Sequence, residues 1–146
     1  METNTILWPT DLSENSLKAG PHVVSLAQKH DASVVVLYVA VDLCRMFPAY
    51  GNYPSVEHLN NFRDWEMGQA RKRLERLCDE DLKACPNLRL RLVIGDPVKE
   101  ILSVIETEGA NMVVLTSRGE GKQTGFGHVA EQVVHSSPVP VQIINP

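Results

Sequence analysis

Residues 33–41 read Ser-Val-Val-Val-Leu-Tyr-Val-Ala-Val, an almost wholly apolar run rich in valine. A strand of that kind has no face to offer water. It must be covered on both sides, as the strands of a parallel sheet are. Parallel strands need long crossovers, and the chain alternates strand-like and helix-like segments accordingly. Thr5–Trp8 is a short apolar strand ended by Pro9, and Met112–Leu115 is a second buried run. Leu88, Leu90, Leu92 and Ile94 alternate with Arg89 and Arg91, which predicts a half-exposed strand at a sheet edge defended by charge. Residues 138–144 form a last strand, with Pro138 and Pro140 near its start, where a ladder donor is least needed.

The segments between them carry helix signals. Ser13 is a plausible N-cap for a helix over 13–30, which Pro21 kinks or restarts by removing a backbone donor. Residues 55–84 read as one long helix with Val56, Leu59, Phe62, Ala70, Leu74, Leu77 and Leu82 on its apolar stripe. Its charged block, Arg71 to Lys83, is read as a solvated face, and residues 42–54 as an irregular loop. Asp96 caps a helix with Pro97 in its first turn, and Gly109 ends it. A glycine-rich loop, 119–127, precedes a final helix running to about Ser136. The order βαβαβαβαβ with right-handed crossovers predicts a five-stranded parallel doubly wound sheet with helices on both faces. The 146 residues are read as one domain, 1–146.

Composition excludes several classes of function. The net charge of −4 comes from interspersed signs without a basic stripe, so no nucleic-acid partner is expected. No apolar run reaches the ~18 residues of a membrane span. Residues 1–5 lack the basic start and apolar stretch of a secretory leader, and the expectation is a cytoplasmic protein. Cys44, Cys78 and Cys85 lack CxxC spacing and are read as reduced thiols, the last two sharing a helix face. His22, His30, His58 and His135 show no metal-ligand spacing, so no metal is expected. Trp8 and Trp65 are read as core or interface aromatics. Ser117 has no neighbouring base and the GxSxG elbow is absent, so no catalytic residue is assigned.

In an open parallel sheet, ligands bind beyond the carboxyl ends of the strands at the switch point. Three segments converge there: Pro9-Thr10-Asp11, Val39 to Asp42, and Thr116 to His128. The third holds Gly119, Gly121, Gly125 and Gly127 ahead of a helix. Glycines let backbone amides approach a ligand, and a helix start adds unpaired N–H groups and partial positive charge. That combination predicts an anion-binding loop, with Lys122 available to a phosphate. It is not a P-loop, because Thr116 stands at the first glycine and Gln123 at the hydroxyl position; Thr124 likewise breaks GxGxxG. Asp11 either holds a ribose hydroxyl or caps the turn into the first helix. A receiver-type domain is disfavoured, because Asp11 stands without companion acids and Pro146 follows closely on the last strand.

Taken in order, several motifs together resemble the universal stress proteins over nearly the whole length: Ile6-Leu7-Trp8-Pro9-Thr10-Asp11-Leu12-Ser13-Glu14, the valine-rich second strand, Gly95-Asp96-Pro97 with Glu100-Ile101, Thr116-Ser117-Arg118-Gly119, and Pro138-Val139-Pro140-Val141. The resemblance implies a small cytoplasmic α/β protein linked to stress tolerance. It also implies a homodimer paired through the last strand, at Val139, Val141 and Ile143. The ligand it implies is an adenine nucleotide, ATP or AMP. Nucleotide-binding members show G-x2-G-x9-G followed by Ser or Thr. Carried over, Asp11 and Val39 fall at adenosine positions, and Thr116, Gly119, Gly127 and His128 at phosphate positions. Pro9, Thr10, Ser117, Arg118 and Val129 complete the candidate nucleotide-binding set. Thr116 replaces the first glycine, the loop is shorter by two, and His128 replaces the small hydroxyl residue. A hydrogen bond to a charged phosphate contributes ~1.5–3 kcal/mol, so losing two costs roughly 3–6 of the ~8 kcal/mol in micromolar binding. The expectation is a non-catalytic regulatory protein with weak or absent ATP binding. The alternative is an ATP- or AMP-binding switch with slow ATPase activity.

Overall fold

A computed structural model describes residues 4–40, 56–119 and 126–146 of the chain, the side chains of Val56 and Leu59 excepted. The strands are β1 (Thr5–Pro9), β2 (Ser33–Ala40), β3 (Asn87–Ile94), β4 (Met112–Thr116) and β5 (Val141–Ile144). The helices are α1 (Glu14–Leu17), α2 (Gly20–His30), α3 (Val56–Glu80), α4 (Pro97–Glu108) and α5 (His128–Ser136). All four strand pairings are parallel, in the order β3-β2-β1-β4-β5. The chain direction across the sheet reverses between β1 and β4, which opens a crevice at their carboxyl ends.

The valine-rich run lies second from the edge of the sheet and is covered on both faces. Val34 and Val36 join Ile6, Trp8 and Val114 under the layer of α1, α2 and α3. Val35 and Leu37 join Leu7, Val113 and Leu115 under α4 and α5. The twofold strand period thus feeds two cores from one sheet. Arginines guard the β3 edge, as expected. Arg89 and Arg91 both reach Glu108 at the end of α4, at 2.8 and 2.7 Å.

Several boundaries move for physical reasons. The expected helix over 13–30 is two helices, and Pro21 sits in the first turn of the second, where its missing donor costs nothing. α3 stops at Glu80, four residues before the expected end, and Leu77 O accepts the amides of Asp81 and Leu82. Cys85 therefore lies beyond the helix, yet it and Cys78 pack against the same core. β5 starts at Val141, after both prolines; Pro140 still accepts from the Val113 amide. Ala70, Leu74 and Leu77 form the buried stripe of α3, whereas Phe62 and Trp65 are 49% and 61% exposed. Those two rings lie 6.0 Å apart on the helix surface, so Trp65 is not a core residue and Phe62 is not in the stripe. The expected loop over 42–54, with Cys44 in it, and residues 120–125 lie outside the described residues.

Candidate nucleotide site

The β1–α1 turn is built from its own polar side chains. The Thr10 amide donates to Leu37 O of β2 at 2.8 Å, and the Thr10 and Ser16 hydroxyls share a buried 2.7 Å hydrogen bond. The Leu12 amide donates to Thr10 Oγ1 at 3.0 Å. Leu12 is buried with φ of 64°, a left-handed conformation that costs a leucine ~1–3 kcal/mol. Arg73 of α3 holds that conformation from outside, donating to Leu12 O at 2.7 Å. Within the turn, Asp11 Oδ1 accepts from both the amide and the hydroxyl of Ser13. Ser13 Oγ in turn accepts from the Ser16 amide and caps α1. Asp11 does act in the turn, and its carboxylate also lines the crevice.

The segment after β4 is fixed from three directions. The Ser117 amide donates to Ile144 O at 3.0 Å, and Ser117 O accepts from the Gly127 amide at 2.6 Å. Thr116 Oγ1 donates to Arg118 O, and Asn15 Nδ2 donates to Gly119 O, each at 3.0 Å. The Arg118 guanidinium donates to Pro146 O at 3.2 Å and to Ser117 Oγ at 3.4 Å. A Cβ at Gly119 would overlap Asp11 Oδ2, so the glycine lets the Asp11 carboxylate lie against this segment without moving. Gly127 is the N-cap of α5 and offers no side-chain cap. The first intrahelical bond runs from the Glu131 amide to Gly127 O. The amides ahead of it have no partner within the helix and carry the positive end of its dipole.

Together these segments enclose a cavity of about 370 Å³ at the switch point. That is at the lower end of the ~300–1,000 Å³ usual for small-molecule sites. Pro9, Thr10, Asp11, Val39, Thr116, Arg118, Gly119, Gly127, His128 and Val129 all line it. Ser117 does not; it is buried beneath the loop, with both main-chain groups bonded. The lining also includes Ser16, Leu37, Pro97, Ile101, Leu115 and Ala130, which motif reading missed. Leu37 and Leu115 were detectable, since Leu37 shares a strand face with Val39 and Leu115 immediately precedes Thr116. The sequence marks Pro97 as a helix start, and Pro97 and Ile101 as parts of the family resemblance, but nothing in it says that α4 leans over the crevice.

The family model for the universal stress protein family matches residues 2–145. The chain belongs to that family. Universal stress protein MJ0531 of Methanocaldococcus jannaschii is 30% identical over 145 residues, covering 95% of this chain and 80% of the relative. The solved structure of universal stress protein UspA from Lactobacillus plantarum superimposes with a TM-score of 0.85 at 25% identity, covering 99% of each chain. A universal stress protein from Archaeoglobus fulgidus, solved in complex with dAMP, shares the fold. Its TM-score is 0.69 at 18% identity, covering 99% of this chain and 100% of that one. Among the described residues, no group of three His, Cys, Asp or Glu is placed to hold a metal ion. No helix among them is long and apolar enough to cross a membrane.

Proposed function

We propose that this universal stress protein is a non-catalytic, cytoplasmic stress-response regulator whose switch-point cavity takes the adenosine end of a nucleotide and holds ATP weakly. The observation that carries this reading is the asymmetry of the cavity. Its inner wall is apolar, made by Pro9, Leu37, Val39, Ile101 and Leu115, and Asp11 stands at its rim to accept from a ribose hydroxyl. Its phosphate side instead holds Thr116 and His128 where the resemblance calls for a glycine and a small hydroxyl residue. The dAMP complex of the Archaeoglobus relative supports an adenine nucleotide as the ligand class. β5 is an edge strand with Val141 and Ile143 half-buried, as is Val139 just ahead of it, and a second copy pairs there in this reading.

Isothermal titration with adenosine and with ATP tests the proposal, alongside a phosphate-release assay and light scattering. Saturable adenosine binding, ATP in the millimolar range, no turnover and a dimer are expected. Micromolar ATP with measurable hydrolysis would instead establish the ATP-driven switch.

A further inference from the structure

We propose that Arg73 of α3 is a positioning residue for the adenosine site, aiming Asp11 at the ribose from outside the cavity. The inference rests on the adenosine reading above and names the residue that readies its rim. Arg73 lies outside the described lining of the nucleotide cavity. It acts through the peptide that joins Leu12 to Ser13.

That peptide is held at both ends. Its oxygen, Leu12 O, accepts from Arg73 Nη2 at 2.7 Å, and its N–H, on Ser13, donates to Asp11 Oδ1 at 2.9 Å. A peptide unit is planar, so a guanidinium that fixes the oxygen also fixes the N–H that Asp11 grips. The same orientation requires the left-handed φ of 64° at Leu12, which a leucine does not favour unaided. Packing leaves slack there, because a second cavity of about 160 Å³ touches Leu12, Leu17 and Arg73 on the α3 side. The Leu12 amide is tied to Thr10 Oγ1 at 3.0 Å, but the bond from Arg73 is charge-assisted and the stronger of the two. It also reaches the turn from a helix 61 residues away in sequence. Tyr38 marks how near the two charges lie. Its phenol donates to Glu66 Oε1 of α3 at 3.2 Å. Burial first, then Glu66, push that phenol up, while Arg73 pulls it down and Asp11 pushes it up. Without the guanidinium the peptide can turn, the Ser13 N–H turns with it, and Asp11 loses the partner that aims it.

The test is titration of the full chain with adenosine and with 2′,3′-dideoxyadenosine, which lacks the hydroxyls that Asp11 would accept from. The natural chain is expected to bind adenosine about tenfold or more tighter, as a hydrogen bond to a charged group allows. Arg73→Met, which keeps the stem and removes the donor, is expected to cut that preference to about threefold or less. Arg73→Lys keeps a cation and a donor and is expected to retain most of it. In an Asp11→Ala background Arg73→Met is expected to change adenosine affinity by less than about twofold. Circular dichroism checks that each variant is folded, and Arg73→Gln takes the place of Arg73→Met if it is not. A preference that the substitution leaves unchanged, or an equal cost with and without Asp11, overturns the inference while the adenosine site stands. No preference in the natural chain also overturns it, because Asp11 then reads no hydroxyl. A cavity that ignores adenosine overturns both readings.

Discussion

Replacing Gly119 by alanine tests how the two halves of the crevice are joined. The added Cβ would overlap Asp11 Oδ2. Asp11 cannot swing aside without loss, because its other oxygen accepts from the amide and hydroxyl of Ser13, the cap of α1. Each such bond contributes ~0.5–1.5 kcal/mol net. The carboxylate is exposed, so water recovers part of that, and Gly119→Ala is expected to destabilise the fold by about 1–2 kcal/mol. Urea denaturation measures this, and a double-mutant cycle isolates the cause. In an Asp11→Ala background the collision is gone, and Gly119→Ala is expected to cost less than ~0.5 kcal/mol. Additive costs in the double mutant would refute the reasoning. They would mean that the glycine serves loop conformation alone, without regard to Asp11.

The same substitution has opposite signs at two other glycines. Gly109 ends α4 with φ of 64°, so Gly109→Ala is expected to destabilise by about 1 kcal/mol. Gly68 lies exposed within α3 with open space at its Cβ position, and Gly68→Ala is expected to stabilise by a similar amount in urea titrations. Glu108→Gln removes the shared acid of Arg89 and Arg91, whose own side chains are 54% and 38% exposed. A loss of about 1 kcal/mol is expected at low salt, shrinking in molar salt, which the denaturation midpoint reports. Burial, followed by the nearby charges of Asp79, Cys85 and Glu75, pushes the Cys78 thiol up from 9.0 to about 11. Its folded value lies above its unfolded one, so its contribution is complete below pH 9 and is lost as pH rises through about 11. The urea midpoint of the natural chain is expected to fall more steeply than that of Cys78→Ala over that window, and Cys78 is expected to react slowly with thiol reagents near neutral pH.

Where a single residue type carries a single physical demand, the structure follows the sequence closely. The valine-rich apolar run needs two covered faces, and β2 has them. Asp96, Pro97 and Gly109 bound α4 where cap chemistry puts them. Arginines alternating with leucines mark the β3 edge, although the sequence does not say that Glu108 would take both. What it does not disclose arises from tertiary choice. Helical periodicity extends the apolar stripe of α3 back through Phe62 to Val56, but it does not say where along the helix burial stops, and Phe62 and Trp65 are 49% and 61% exposed. Motif reading found the polar rim of the crevice because glycines and Asp11 are chemically conspicuous. It does not find the floor, where Pro97 and Ile101 look like any helix start and core residue. Ser117 belongs to the Thr116-Ser117-Arg118-Gly119 motif, yet it is buried with its main-chain groups bonded to residues 127 and 144.

The most direct test of the central claim, that the switch-point cavity is the nucleotide site, is an amide NMR titration of the isotopically labelled chain with AMP. The largest shifts are expected at Thr10, Asp11, Val39, Gly119 and the first turn of α5, with the β3 edge and the exposed face of α3 undisturbed. Shifts centred on Phe62 and Trp65 or on the β3 edge, or no saturable shifts at all, would contradict the account.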